Sequence, residues 1–175
     1  MADGARIQYT LDDRDFTAAL NRVGGVLKTG WVRAIGTGLV EVTQRRFETA
    51  TEPLGGKWQP LNPAYAAIKR GPGILRASLM LQRSITFAAA GNQVTVGSNR
   101  VYAAVHQFGA TIRPRNARAL VFRLGVAGPR GGKRSGIVRA QKVTIPARPY
   151  LGFGPQDRRS VLEVTADLIQ AELGA

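Results

Sequence analysis

The stretch SITFAAAGNQVTVG, residues 84–97, decides the fold class of this sequence. Ser84–Ala89 and Gln93–Gly97 have the composition of strands, and Gly91-Asn92 stands between them as a turn, which predicts a β-hairpin. In the second strand valines alternate with polar residues, a pattern typical of a sheet with one buried face. The sequence therefore predicts an antiparallel sheet whose apolar face is covered by other elements.

Helical patterns flank the hairpin on both sides. Residues 10–51 are predicted to form an N-terminal helical part in two pieces, weakened at its glycines, with Asp12 or Asp13 as the first N-cap. Residues 156–173 are predicted to form a C-terminal helix with Asp157 as its N-cap. Apolar side chains recur at helical spacing in both parts, so each helix has one face to bury. This order predicts an α+β fold in which the N-terminal helices and the C-terminal helix pack on a largely antiparallel β-sheet.

The remaining segments fit one domain spanning residues 1–175. The predicted segments are a Pro/Gly-rich loop at 52–73, a sheet region over 74–152 that starts with a short helix at 74–82, a short helix or turn at 102–108, and strands at 120–124 and 142–145. Residues 125–140 are expected to join the last two strands as a long, mobile basic loop at a hairpin tip, because they carry too little apolar surface to fold alone.

Charge is distributed unevenly along the chain, whose net charge is +14. Not one acidic residue lies between Glu52 and Asp157, whereas the same 104 residues carry sixteen Lys and Arg. An unbroken basic region attracts polyanions or acidic protein surfaces. We therefore favour an anionic partner over the simpler interpretation, a solvated basic face kept for solubility.

The composition argues against several classes of function. The chain has no cysteine and one histidine, His106, so the usual nucleophile and base pairs are missing, and no residue spacing matches a metal or phosphate-loop site. We expect no catalytic residue, no metal and no cofactor, and a structural role for His106. Neither a signal peptide nor an apolar run long enough to span a membrane is predicted. The basic region lacks a recognition helix and stacking aromatics, so any DNA contact is expected to involve phosphates without base specificity.

Four segments together resemble one known family. They are Phe47 with residues 53–63 (PLGGKWQPLNP), residues 73–85 (GILRASLMLQRSI), residues 96–109 (VGSNRVYAAVHQFG) and residues 145–152 (IPARPYLG). Their order and spacing resemble the phage virion morphogenesis proteins of the Mu type, related to P2-type tail completion proteins. The box at 102–109 combined with the box at 147–152 is the most specific part. The chain departs from the family at Leu75-Arg-Ala-Ser, where an acidic Asp-Thr-Gly is usual.

The resemblance implies a non-enzymatic tail completion or neck protein of the virion, assembled in the host cytoplasm. It implies a homo-oligomeric ring, commonly hexameric, at the head–tail junction around the DNA channel. The implied partners are other phage neck and tail proteins and, non-specifically, the DNA in the channel, with no membrane. A tail terminator or a head-side connector remains an alternative, and the charge alone also allows a sequence-nonspecific nucleic-acid-binding module.

Two groups of residues are candidates for function. For the first group, a role in holding the fold together and a role in a ring interface are equally open: Trp58, Tyr102, His106, Phe108, Gly109, Arg148 and Tyr150. Arg148 stands between two prolines and is expected to pair with an acid of a neighbour or with a carbonyl. The second group is basic and is expected to face DNA or a partner: Arg113, Arg115, Arg118, Arg130, Lys133, Arg134, Arg139 and Lys142.

Overall fold

The computed structural model describes residues 6–10, 27–127 and 133–173, and the elements below lie within these ranges. In chain order they are β1 (Arg6–Thr10), α1 (Leu27–Thr49), α2 (Pro63–Ala66), α3 (Met80–Arg83), β2 (Ile85–Ala90), β3 (Gln93–Ser98), α4 (Ala103–Phe108), β4 (Ala110–Ile112), β5 (Leu120–Ala127), β6 (Lys133–Ala140), β7 (Val143–Ile145) and α5 (Pro155–Leu173). The predicted α+β class is confirmed.

The described strands form one three-stranded sheet and two two-stranded ribbons, all antiparallel. The three-stranded sheet has the order β1-β3-β2, and its β2–β3 hairpin is the predicted one. Gly91 turns the hairpin with a φ of +57°, a left-handed conformation that glycine adopts without steric cost. β1 pairs along β3 and was not predicted, because its short alternating pattern precedes any turn signal.

Helix α1 covers the sheet with a buried stripe in which Trp31, Ile35, Leu39 and Phe47 recur at helical spacing. It is continuous from Leu27, so the predicted break at the glycines does not extend to Gly30, which lies inside the helix. The first predicted helical piece, with its Asp12 or Asp13 cap, lies outside the described residues.

Two glycines bring α1 close to its neighbours on opposite sides. A Cβ at Gly36 would overlap the ring of Phe87 on β2, and a Cβ at Gly38 would lie 2.7 Å from Ser160 Oγ on α5. Glycine inside a helix costs about 1 kcal/mol relative to alanine, and the close packing here offsets that cost. The C-terminal helix α5 therefore lies along α1, which separates it from the sheet, and Trp31 Nε1 donates a 2.9 Å hydrogen bond to Thr165 Oγ1.

Two predictions about the segment before the hairpin are wrong. The helix expected over 74–82 is reduced to the single turn of α3, since Leu75 and Leu79 both have positive φ, at +58° and +59°. The Pro/Gly-rich loop contains helix α2, which begins at Pro63, because proline fits the first position of a helix. Asn62 caps that helix by accepting hydrogen bonds from two backbone N–H groups.

The pairing predicted for the last strands is also wrong. β5 pairs with β6 rather than with residues 142–145, and β7 pairs with β4 instead. Most of the predicted loop 125–140 is therefore strand, since residues 125–127 belong to β5 and residues 133–140 form β6. Across the pair Val138 lies opposite Phe122, and cross-strand pairs of this kind stabilise antiparallel strands. The tip, residues 128–132, lies outside the described residues, so the mobility expected for it stays a prediction.

A buried ion pair joins the two long helices to the segment between them. Arg46 of α1 and Asp157 of α5 are both almost fully buried and are bonded to each other. Asp157 is not the N-cap that was predicted: α5 begins at Pro155, and the carboxylate accepts a 2.8 Å hydrogen bond from the N–H of Gly154. Arg46 also binds residues 147–152, which we call the anchor segment.

Replacing Asp157 by Asn keeps the side-chain shape but leaves the buried Arg46 charge without a counter-charge. We expect the free energy of unfolding to fall by about 3–5 kcal/mol, the usual cost of breaking a buried pair. Urea denaturation followed by tryptophan fluorescence measures this change, because both tryptophans, Trp31 and Trp58, are buried.

The matched control is Asp167→Asn, the same chemical change at an exposed position of α5. It is expected to alter stability by less than about 0.5 kcal/mol. Equal urea midpoints for the two variants would contradict the role given to the ion pair.

Candidate functional site

The anchor segment has no regular secondary structure, and side chains from elsewhere satisfy its backbone carbonyls. Arg46 Nη1 donates to the carbonyl oxygens of Tyr150 and Gly152, at 2.9 and 3.0 Å. Trp58 Nε1 donates to the carbonyl of Pro149 at 2.7 Å. Because buried carbonyls are costly when unpaired, these bonds fix the path of the chain into α5.

Helix α4 is bonded to the same segment. The Gln107 side chain accepts hydrogen bonds from the N–H groups of Tyr150 and Leu151, both at 3.0 Å, and donates to the carbonyl of Leu151 at 2.8 Å. The Tyr150 hydroxyl donates to the carbonyl of Ala103 at 3.1 Å. Burial raises the pKa of Tyr150, so this phenol stays neutral and remains a donor.

Gly109 ends α4 and allows the close approach of the chain before the anchor segment. Its φ is +74°, and a Cβ there would lie 2.8 Å from the backbone nitrogen of Ala147 and 3.0 Å from the carbonyl of Ile145. Glycine is therefore required at position 109 for two physical reasons, a left-handed backbone and a lack of space for a side chain.

Arg148 is buried and bonds to carbonyls of its own chain. Its Nε donates to the carbonyl of Gln59 at 2.8 Å, and its Nη2 donates to that of Pro60 at 3.0 Å. We expected Arg148 to pair with an acid of a neighbour or with a carbonyl, and in the structure it bonds to carbonyls. Burial lowers the pKa of Arg148, although a guanidinium remains protonated in a protein. Arg148 thus holds the loop before α2 against the anchor segment.

Beside this framework lies a cleft with a volume of about 660 Å³. Its walls are α2 and the preceding loop, the loop before α3, helix α4, and strands β5 to β7 with the residues that follow. The residues that line it are Leu61, Asn62, Tyr65, Lys69, Leu75, Ala77, Ser78, Leu81, Tyr102, His106, Phe122, Arg123, Ala140, Lys142, Val143, Thr144, Ile145, Pro146 and Arg148. The cleft combines an apolar lining with four basic side chains, and none of the lining residues is acidic.

His106 lines the cleft and its ring stacks edge-on against Tyr102, with 5.9 Å between ring centroids. Its Nδ1 atom is buried without a hydrogen-bond partner among the described residues. Burial, and then the charge of Arg148, lower the pKa of His106 below its usual 6.5, so the ring is neutral at pH 7. The structural role expected for His106 stays a prediction.

The aromatic candidates separate into two groups. Trp58 and Tyr150 are buried and pack on Phe47, with ring centroids 5.5 and 5.0 Å apart, so they hold the core together. Tyr102 and Phe108 are exposed, Phe108 at 67%, so neither belongs to the buried core. A contact with another chain stays a prediction for these two residues.

The basic candidates are exposed wherever their side chains are described. Arg113, Arg115, Arg118, Arg139 and Lys142 are all exposed, and Lys142 lines the cleft. Lys133 and Arg134 belong to β6, but their side chains, like the whole of Arg130, lie outside the described residues.

Sequence reasoning missed several residues that build the site. Gln107 and Arg46 gave no signal, because one polar side chain in a helix is usually solvated, and their partners lie far away in sequence. Arg123 and Lys69, which line the cleft, were counted only as part of the basic region. The one local clue was Asn62 followed by Pro63, a typical helix start.

The described part of the chain contains no group of His, Asp and Glu side chains arranged to hold a metal ion. Among the same residues, no helix combines the length and apolar character needed to cross a membrane.

The lowered pKa of His106 predicts a pH dependence of stability. Between the folded pKa and the usual 6.5 the unfolded chain binds more protons, so stability falls as pH drops through this window. His106→Gln removes the titrating group and should lose less stability than the wild type between about pH 7.5 and about pH 5. Thermal unfolding of both proteins at the two pH values measures the difference, and identical losses would contradict it.

Comparison with known proteins agrees with the resemblance noted from the sequence. The profile of the phage virion morphogenesis family matches residues 11–170. The "Putative capsid assembly protein G" of Escherichia phage Mu is 26% identical over 176 residues, covering 95% of this chain and 96% of the phage protein. The "Mu-like prophage FluMu G protein 2" of Haemophilus influenzae is 30% identical over 159 residues, covering 90% and 91%. No solved structure was found to match. The chain belongs to the phage virion morphogenesis family and has a role in phage assembly.

Proposed function

We propose that this chain is a tail completion or neck protein that forms an oligomeric ring, commonly a hexamer in such proteins, at the head–tail junction around the DNA channel. Membership of the virion morphogenesis family supports an assembly role. The relatives carry names that refer to capsid assembly or to protein G and do not define a position in the particle. The proposal of a ring therefore depends on the surface of the described chain.

The observation that carries the proposal is the exposed face of the strand pair β5–β6. We call this pair the ribbon. Val121 lies opposite Arg139, and Ile137 lies opposite Arg123, so apolar and cationic side chains alternate across the pair. The two apolar residues are 62% and 69% exposed. Within the described residues no third strand pairs with the ribbon. A two-stranded sheet with free edges and an exposed apolar face is marginal alone and is expected to be covered in an assembly.

A closed ring needs two different complementary patches on each subunit, because its contacts are head-to-tail. The acid-free middle of the chain and the acid-bearing flanks can supply such patches. A basic wall near the channel would contact DNA phosphates weakly and without sequence preference, which suits a channel through which DNA has to move. Neither the contacts between subunits nor weak contacts with phosphates require catalysis, and we propose none for this chain.

The ribbon face can be tested with the double variant Val121→Asp, Ile137→Asp. Both positions are exposed, so the fold should be retained and the urea midpoint should stay close to that of the wild type. In a phage that depends on this gene, we expect the number of joined particles to fall at least tenfold, because buried carboxylates would oppose assembly. Electron microscopy of lysates counts filled heads, free tails and joined particles.

Leu54→Asp is the control, since Leu54 is another exposed apolar residue outside the ribbon. Normal joining in the ribbon variant would count against the proposal. The defect also separates the alternatives, because free tails of normal length fit a completion role. Tails of uncontrolled length would indicate a terminator, and heads that lose their DNA would indicate a head-side connector.

A sequence-nonspecific nucleic-acid-binding module is the second candidate, favoured by the exposed arginines at 113, 115, 118 and 139. It predicts tight binding to free duplex DNA, with log K falling by about 0.9 per contacted phosphate for each unit of log salt. Replacing Arg113, Arg115 and Arg118 together by Gln would then lower that slope by about 3. The ring proposal predicts only weak binding, and fluorescence anisotropy over a salt series distinguishes the two.

A further inference from the structure

One surface of α5 is complementary to the cleft. Leu162, Glu163, Ala166 and Asp167 share one side of the helix by their spacing, and all four are exposed; we call them the α5 face. Leu162 is 64% exposed and stands beside the two carboxylates. The face thus has an apolar knob with acids next to it, whereas the cleft has an apolar lining with basic side chains.

The acids of the α5 face are unfavourable within their own helix. Glu163 and Asp167 are four residues apart, so their like charges repel each other. Neither forms an ion pair with another described residue. Arg159 lies one turn before Glu163 and two turns before Asp167, so the helix offers Asp167 no neighbouring cation. A cationic partner would relieve the repulsion between the two acids.

The cleft has basic side chains that lack an acidic partner. Lys69, Arg123 and Lys142 line it with no acid among the lining residues, and the buried Nδ1 of His106 has no hydrogen-bond partner within the described part of the chain. Lys69 Nζ donates only to two backbone carbonyls, those of Arg70 and Gly71, so its charge has no counter-charge there. The apolar residues of the cleft, such as Leu75 and Phe122, make it a better match for a side chain with flanking carboxylates than for a bare phosphate chain.

The two surfaces cannot meet within one subunit as described, because no residue of α5 lines the cleft and α5 packs along α1. They can meet between two copies, where the contact joins two different patches and is therefore head-to-tail. Such a contact repeats from subunit to subunit and closes into a ring if the rotation allows.

We propose that the cleft of one subunit receives the α5 face of the next, with Leu162 entering the apolar part and Glu163 and Asp167 pairing with Lys69, Arg123 and Lys142. This inference depends on the proposed ring and names the contact that builds it. The contact is partly electrostatic, so it weakens as salt rises.

Because the chain has no cysteine, introduced cysteines report on this contact without background. A full-length Leu162→Cys chain is mixed with a full-length Ser78→Cys chain under mild oxidation, over a series of protein concentrations. Ser78 is exposed and lines the cleft. We expect a disulfide-linked heterodimer in the mixture and at least tenfold less dimer from either chain alone. The control replaces Leu162→Cys with Glu41→Cys, an exposed position on α1.

A charge exchange tests the pairing itself. Adding Glu163→Lys and Asp167→Lys to the Leu162→Cys chain should lower the yield of heterodimer at least tenfold. Adding Lys69→Glu and Lys142→Glu to the Ser78→Cys chain should restore it. Restoration supports a direct contact, because mere unfolding of the first chain would not be rescued by changes in the second.

In the cross-linking experiments, three outcomes overturn the inference: no heterodimer, as much heterodimer with Glu41→Cys, or no rescue by the exchanged charges. A normal ring and normal head–tail joining with the charge-reversed α5 face would reject this contact and leave the proposed function intact. Cross-linking of positions 78 and 162 in a protein that is absent from the virion neck would instead reject the proposed function. A cleft that binds a different acidic protein would give defective joining after Lys69→Glu and Lys142→Glu without any disulfide, which also rejects the contact between copies.

Discussion

The bonds of Arg46 are the interaction on which the other parts of this fold depend. One guanidinium binds the carboxylate at the start of α5 and two carbonyls of the anchor segment, so it fixes α1, the anchor segment and α5 relative to one another. Such a buried cation is tolerated only because its hydrogen bonds and counter-charge compensate for lost hydration. Gln107 adds a second set of bonds from α4 to the same segment. These hydrogen bonds hold an irregular stretch of chain in place.

The shape of the site follows from buried polar contacts rather than from a large sheet. The anchor segment supports Arg148, which fixes the loop before α2, and Gly109 lets the neighbouring chain pass close by. The cleft lies between these parts. Arg123 and Lys142 of the cleft, both exposed, and the exposed side of the ribbon are displayed by this framework and remain available to a partner.

The sequence predicted the parts of the fold that local patterns control. Alternation and a Gly-Asn turn predicted the β2–β3 hairpin, and helical spacing predicted most of α1 and α5. Partner choice was not local: residues 120–124 pair with residues 136–140 because the intervening chain itself forms strand. For Arg148 and Tyr150, holding the fold together was one of the two roles that the sequence left open. Arg46 and Gln107 were missed. Their function depends on carbonyls more than 40 residues away, which no short pattern encodes.

The ring that we propose for this chain lies at the junction of head and tail. Electron cryomicroscopy of purified virions, with focused reconstruction of the neck, tests it most directly. We expect a closed ring of copies of this fold around the DNA channel, with the ribbon covered by neighbouring protein and the anchor segment unchanged. Density for this fold in the capsid shell, or a virion that lacks the chain altogether, would contradict the account.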